Sequence, residues 1–229
     1  MKILHVSDLH NRPQWCDWVS ANAGNYDLLC LSGDLQDAFS NVGMHTQARS
    51  ISRWLLQLPT PTVVCTGNHD WWPEDDRCRD VYAAGGWLRM LAGKGNIVAV
   101  DGDAAEIGGM KIAAIGWNQP PEWPDGTDVV VCHAPPASMP VAGNELGCDH
   151  GEQETWHALW ETPARFFLCG HIHAPRCHWC WFPPATRQTL LLNTGCSFSS
   201  DEPYHWDIDT AKGLAVWHGA GTDEVEFSP

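Results

Sequence analysis

The chain has 229 residues, 13 of them basic and 28 acidic, for a formal net charge of −15, and 44% of it is hydrophobic. That length accommodates one sizeable α/β domain with a buried core and leaves little room for a second. The negative charge disfavours long DNA or RNA, whose binders carry a basic footprint, and no apolar run of about 18 residues is present to span a bilayer.

In chain order, residues 2–7 read as a buried strand. Trp15, Trp18 and Val19 stand three and four apart, which predicts a short amphipathic helix over 12–22. A strand at 27–32 follows, then a helical segment over 45–57 that ends before Pro59 and Pro61, then a strand at 62–66. This βαβαβ order predicts a parallel sheet with helices on its face. Residues 96–100, 104–107 and 110–115 look like antiparallel strands joined by Asp-Gly and Gly-Gly turns. Strands at 128–132 and 165–169 flank a helix around 151–161, and 176–182, 188–193 and 213–218 complete a second sheet. The expectation is two mixed sheets packed face to face with helices outside, in a single domain over 1–229. The acidic residues 220–229 read as a solvated tail.

The opening segment MKILHVSDLH has no long apolar core of a secretory signal, so a cytoplasmic location is expected. Cys30, Cys65, Cys132 and Cys169 each sit in an apolar run, as small buried thiols do in strands, and reduced cysteines are expected. Cys177 and Cys180 form a CxxC, but no second pair follows at finger spacing; two thiols on a hairpin account for them.

Five segments share one local pattern: an apolar strand ends and metal-binding or acid–base residues follow at once. They are SDLH (7–10), GDLQD (33–37), GNHD (67–70), CHAPP (132–136) and GHIH (170–173). In open α/β sheets ligands bind beyond the carboxyl ends of strands. Each cluster alone has a plain explanation: an Asp that caps a turn, a Gly-Asn that favours φ > 0, a structural histidine. Five such clusters at five strand ends call for a shared site.

This ordered set resembles the calcineurin-like metallophosphoesterase superfamily, whose pattern is D-x-H, G-D-x-x-D, G-N-H-[D/E], H, then G-H-x-H. Every element is present between residues 8 and 173. The resemblance implies a four-layer α/β/β/α sandwich of two mixed sheets flanked by helices. It implies one metal held by Asp8, His10 and His173, a second held by Asn68, His133 and His171, and Asp34 shared between them. The mixed N/O donors suit Mn, Fe, Zn, Ni or Co better than Mg or Ca. The implied reaction is in-line attack of a metal-bridging hydroxide on a small phosphodiester or phosphomonoester. His69 is implied as the general acid, Asp37 as the residue that orients and charges it, with a turn-capping carboxylate as its plainer role, and Asp70 as a support. Gly33, Gly67 and Gly170 are expected to allow the turns that aim the ligands.

On the substrate side, Asn68 contributes with Trp71, Trp72 and Trp117 as a candidate aromatic wall, which favours a nucleotide or aryl ester. Core packing is the plainer role for most of the 14 tryptophans. Arg12 and Arg176 lie near the motifs, with surface solvation as the plainer role. Two alternatives stand beside the phosphodiesterase or phosphatase reading. One is a nuclease of the same superfamily, suggested by the opening segment. The other is a scaffold that binds metal without catalysis, against which the intact motifs argue.

Overall fold

The computed structural model describes residues 1–70, 86–117, 119–183 and 188–228. In chain order its elements are β1 (Lys2–Val6), α1 (Pro13–Asn22), β2 (Leu28–Ser32), α2 (Met44–Leu55), β3 (Thr62–Cys65), α3 (Gly86–Arg89), β4 (Ile97–Ala99), β5 (Ala104–Ile107), β6 (Met110–Ile115), β7 (Val129–Cys132), α4 (Gln153–Glu161), β8 (Phe166–Cys169), β9 (Trp179–Phe182), β10 (Thr189–Asn193), β11 (His205–Asp209), β12 (Leu214–His218) and β13 (Thr222–Glu226). They form two mixed sheets, one ordered β13-β12-β11-β1-β2-β3-β4 and the other β5-β6-β7-β8-β10-β9.

Strand alternation sorts the core into three layers. Ile3, Leu28, Cys30 and Val63 of the first sheet face Ile112, Val129, Val131, Phe166 and Leu168 of the second. Leu4, Val6, Leu29, Leu31 and Val64 point the other way, onto Trp15 and Val19 of α1 and Ala48, Ile51 and Leu55 of α2. Those helical positions recur every three or four residues, so each helix buries one stripe. Val130, Phe167 and Leu191 pack outward against Leu159 of α4. The architecture is an α/β/β/α sandwich. Pro13 opens α1, where a missing amide is harmless. Trp15, Trp87 and Trp206 are among the largest fully buried side chains.

Three expectations are corrected. Residues 97–99 do not pair with the following hairpin; β4 lies parallel to β3 in the first sheet, and the chain crosses to the second sheet at Asp101–Gly102. An Asp-Gly pair signals a reversal but not whether the strands on either side share a sheet. β12 belongs to the first sheet, antiparallel to β11, because HWDID supplies a neighbour of period two on that edge. The acidic end is a strand rather than a tail: Thr222–Glu226 pairs with β12 and buries Val225 between exposed acids.

All nine described cysteines are free thiols. Among the described residues Cys177 and Cys180 belong to no cluster of three metal-binding side chains, and no helix is long and apolar enough to cross a membrane.

His5 is fully buried in β1, with Nε2 2.8 Å from the Ser32 hydroxyl. Burial lowers its pKa to about 3, so the folded chain holds it neutral. The unfolded chain protonates near the ordinary 6.5. Stability therefore falls as pH drops from 6.5 towards 3, by up to about 1.4 kcal/mol per pH unit. In His5→Gln the decline in melting temperature between pH 6.5 and 5 should be visibly shallower than in wild type, as read by thermal unfolding at matched pH.

Candidate metal centre

The five motifs emerge at the carboxyl ends of β1, β2, β3, β7 and β8 and meet along one edge of the sandwich. Asp8, His10, Asp34 and His133 are buried there. The strands stop abruptly because the backbone turns left-handed at the motif residues themselves: φ is 54° at Asp8, 44° at His10, 51° at Asp34 and 68° at His171. Side chains with a Cβ pay about 1–3 kcal/mol to sit there and do so chiefly where function holds them.

Two groups of side chains form. In the first, the Nε2 atoms of His10 and His173 approach to 3.1 Å, and they lie 3.7 and 3.4 Å from Asp8 Oδ1. In the second, Asn68 Oδ1 lies 3.1 Å from His133 Nε2 and 2.9 Å from His171 Nδ1. Asp34 stands between them, its Oδ2 3.3 Å from His133 Nε2 and 3.9 Å from His10 Nε2. All seven residues that the sequence singles out as ligands are thus together. His69 joins them, with Nε2 4.0 Å from Asp34 Oδ2.

The donor chemistry fits cations. Asp8 Oδ1 is buried and has no hydrogen-bond partner. The His133 ring donates from Nδ1 to the Ser32 carbonyl at 2.7 Å and turns Nε2 to the oxygens of Asp34 and Asn68. Two acceptors at that nitrogen call for a positive charge, which a ring proton or a bound cation supplies. The titration behaviour points the same way. Burial opposes the charged form of every group, yet Asp34 and Asp8 raise His133 to about 9, while His10 and His173 hold Asp8 well below the usual carboxylate range. Burial and the neighbouring His133 push His171 down to about 4.

Asp37 reaches His69 through the backbone. Its Oδ1 accepts the Phe39 amide at 2.9 Å, and in the same turn the Ala38 amide donates to His69 Nδ1 at 3.2 Å. That bond leaves the proton of the neutral ring on Nε2, which faces the site. Buried Gln47 clamps the turn from both sides, accepting the Asp37 amide and donating to its carbonyl. Asp70 is spent on the backbone, accepting the amides of Gln36 and Gly67.

The glycines act in two ways. Gly33 takes φ of 89°. Gly67 and Gly170 provide clearance: a Cβ on Gly170 would stand 1.9 Å from Ser7 Oγ and 2.3 Å from Asp8 Oδ2, and one on Gly67 would stand 2.3 Å from Asp34 Oδ1.

A calcineurin-like phosphoesterase family model matches residues 1–175. The chain belongs to that family. Comparison by sequence with curated proteins finds no match. Among solved structures the phosphoesterase resembles TT1561 of Thermus thermophilus, with a TM-score of 0.57 at 11% identity over 98% of each chain. It also resembles purple acid phosphatase PPD1 from yellow lupin (Lupinus luteus) seeds, with a TM-score of 0.56 at 9% identity over 100% of this chain and 54% of that one. At such identity the likeness concerns the fold.

Several residues of the phosphoesterase site escape a motif reading. Asp101 accepts both the amide and the hydroxyl of Thr66 at 2.8 Å, and that hydroxyl accepts the Trp117 amide at 2.9 Å. Asn193, buried at the end of β10, donates to the carbonyls of Gly170 and Val141. It follows an apolar strand and precedes Thr-Gly, the same pattern as the five motifs, which was its available signal. Phe198 packs 5.3 and 5.4 Å from the rings of His10 and His173, and exposed Phe39 lies 5.3 Å from His69. Trp117 stands 5.4 Å from His171. Arg12 is committed elsewhere, donating to the Phe198 carbonyl with its guanidinium over Trp15 and Phe198. Trp71 and Trp72 lie outside the described residues.

The clearance at Gly170 yields a prediction. Gly170→Ala should push Asp8 out of place and weaken metal binding by roughly 10–100-fold, the usual effect of disturbing a ligand's support, while far-ultraviolet circular dichroism stays unchanged. Metal titration of the two proteins checks it.

Proposed function

We propose that this phosphoesterase uses two divalent transition-metal ions to hydrolyse a small phosphodiester or phosphomonoester. The observation that carries the reading is the buried, unpartnered Asp8 Oδ1 among converging imidazole nitrogens, with a second buried carboxylate beside it. The ligand sets are Asp8, His10 and His173 for one ion and Asn68, His133 and His171 for the other, with Asp34 common to both. When bound, such a pair supplies an activated water and neutralises charge at phosphorus.

The chain's own residues do the rest. Asp34, held by the His69 amide at 2.8 Å, keeps a fixed distance between the two ligand groups. His69 presents its Nε2 proton to the leaving oxygen, the face opposite the Ala38 amide. Asp37 acts as a positioning residue, since its carboxylate shapes the turn that carries that amide. Asn68 binds the second ion and borders the phosphoryl group.

The rim supports an ester with a planar, apolar group. Trp117, Phe39 and Phe198 surround the histidines, and a cleft of about 500 Å³ opens beside His133, lined by Trp117, Gln119, Pro120, Ala134 and Thr155. That is room for a small ligand and not for a duplex. Together with the charge of −15, it favours a small nucleotide or aryl ester over a polynucleotide.

Two experiments test the proposal. Hydrolysis of an aryl phosphodiester and an aryl phosphomonoester is followed with Mn, Zn and Ni. Asp34→Ala should lose both metal and activity; full activity in that variant contradicts the mechanism. His69→Ala should keep its metal and lose roughly 10²–10⁴ in rate. For the rim, Phe198→Ala should lower kcat/KM for aryl esters by about tenfold, the loss of one aromatic contact of about 1 kcal/mol plus its buried area. The same variant should change kcat/KM for an alkyl phosphate little; equal losses on both would remove Phe198 from the recognition surface.

A further inference from the structure

A second constellation of metal-binding side chains lies apart from the catalytic edge, on the helix-facing side of the first sheet. His205 and Asp207 are two residues apart in β11 and therefore project from one face. His218 of β12 sits directly opposite His205 in the antiparallel register, so it joins that face. One nitrogen from each histidine and one Asp207 oxygen lie within 4.8 Å of one another.

The surroundings orient each group as a ligand. His205 is buried, and its Nδ1 donates to the Pro203 carbonyl at 2.9 Å. That bond fixes the tautomer and leaves the Nε2 lone pair free, the arrangement that metal-binding histidines use. Asp207 accepts the Tyr26 hydroxyl on Oδ1 and turns Oδ2 towards His218 Nε2, 3.2 Å away. Two donors about 2.0–2.1 Å from a tetrahedral ion stand about 3.3 Å apart, so that spacing already suits a shared cation. The His205 and His218 rings lie nearly parallel, 13° apart with centroids at 4.7 Å, and Trp18 of α1 covers His205 at 4.5 Å. Asp207 and His218 are each about one-third exposed (36%), which leaves an open side for water.

We infer that His205, Asp207 and His218 form a third metal site, a two-histidine, one-carboxylate site for a zinc-class ion with one solvent position. Two nitrogens and one carboxylate oxygen suit Zn, Co or Ni rather than Mg or Ca. The ion joins β11 to β12 beneath α1, with Trp18 and Tyr26 as the helix-side contacts. It is independent of the ligand sets assigned to the catalytic edge. The competing account of the same geometry is an ion pair between protonated His218 and Asp207, which requires no metal.

Equilibrium dialysis against chelator-buffered zinc, followed by metal counting, separates the two. His218→Ala and the near-isosteric Asp207→Asn are compared with wild type, both positions being exposed enough to vary without unfolding the sheet. Each variant should hold one zinc fewer per chain than wild type, keep its phosphoesterase activity, and lose part of the zinc-dependent rise in melting temperature. Cobalt added to wild type should give a tetrahedral absorption band that both variants weaken. Equal zinc content and an equal thermal response in all three proteins would overturn the site in favour of the ion pair.

Discussion

The structure turns on two buried carboxylates, Asp8 and Asp34, set side by side at the ends of adjacent parallel strands. A carboxylate out of water costs several kcal/mol even after relaxation, and a like charge beside it adds to that. Imidazoles offset part of the cost by taking up protons, as the raised pKa values of His10 and His133 show. Protons offset the charge only in part, because Asp8 Oδ1 still lacks a partner. The divalent ions proposed for this edge would supply both the missing charge and a partner for Asp8 Oδ1. The left-handed backbone at Asp8, His10, Asp34 and His171 is the strain stored to keep the donors pointed inward.

The fold exists around that edge in a specific sense. Each sheet supplies part of the donor set: β1, β2 and β3 from one, β7 and β8 from the other. The face-to-face packing of their inner layers fixes the distance across which Asp34 and His133 meet. Behind the donors lies a row of buried polar supports. The Ser32 carbonyl accepts the Ser7 hydroxyl and His133 Nδ1. Asp70 holds the Gly67 turn, Asp101 the Thr66 turn, and Asn193 the Gly170 turn. Each is a short hydrogen-bonded strut between two strand ends, and together they leave the ligands little freedom to relax away from one another.

Much of this was legible in the sequence because strand ends have a grammar. An apolar run that stops at Asp-Leu-His or Gly-Asn-His-Asp announces both the strand and its task, and all seven ligand candidates do meet. What escaped was pairing. Local pattern identifies 97–99 and 214–218 as strands but carries no information about which sheet accepts them, since that depends on partners distant in sequence. The acidic end looked unfit for a sheet, yet an edge strand needs only one inward residue, and Val225 provides it. The supports were hidden for a similar reason: Asp101 and Gln47 sit in ordinary helix or turn contexts, and only tertiary contact turns them towards the site. The link between Asp37 and His69 likewise runs through the backbone, since the Asp37 carboxylate caps the turn at Phe39 and the Ala38 amide of that turn donates to His69.

The aromatic rim narrows the substrate by physics rather than by motif. Phe39 and Phe198 expose large apolar faces next to charged chemistry, a pairing that suits an ester with one ionic and one planar end. The central claim concerns the metals, and anomalous diffraction from crystals of the manganese- or zinc-loaded protein tests it most directly. Two peaks about 3.5–4 Å apart, both in contact with the Asp34 carboxylate, are the expected result. A single peak at that edge, or two peaks of which Asp34 touches neither, would contradict the account.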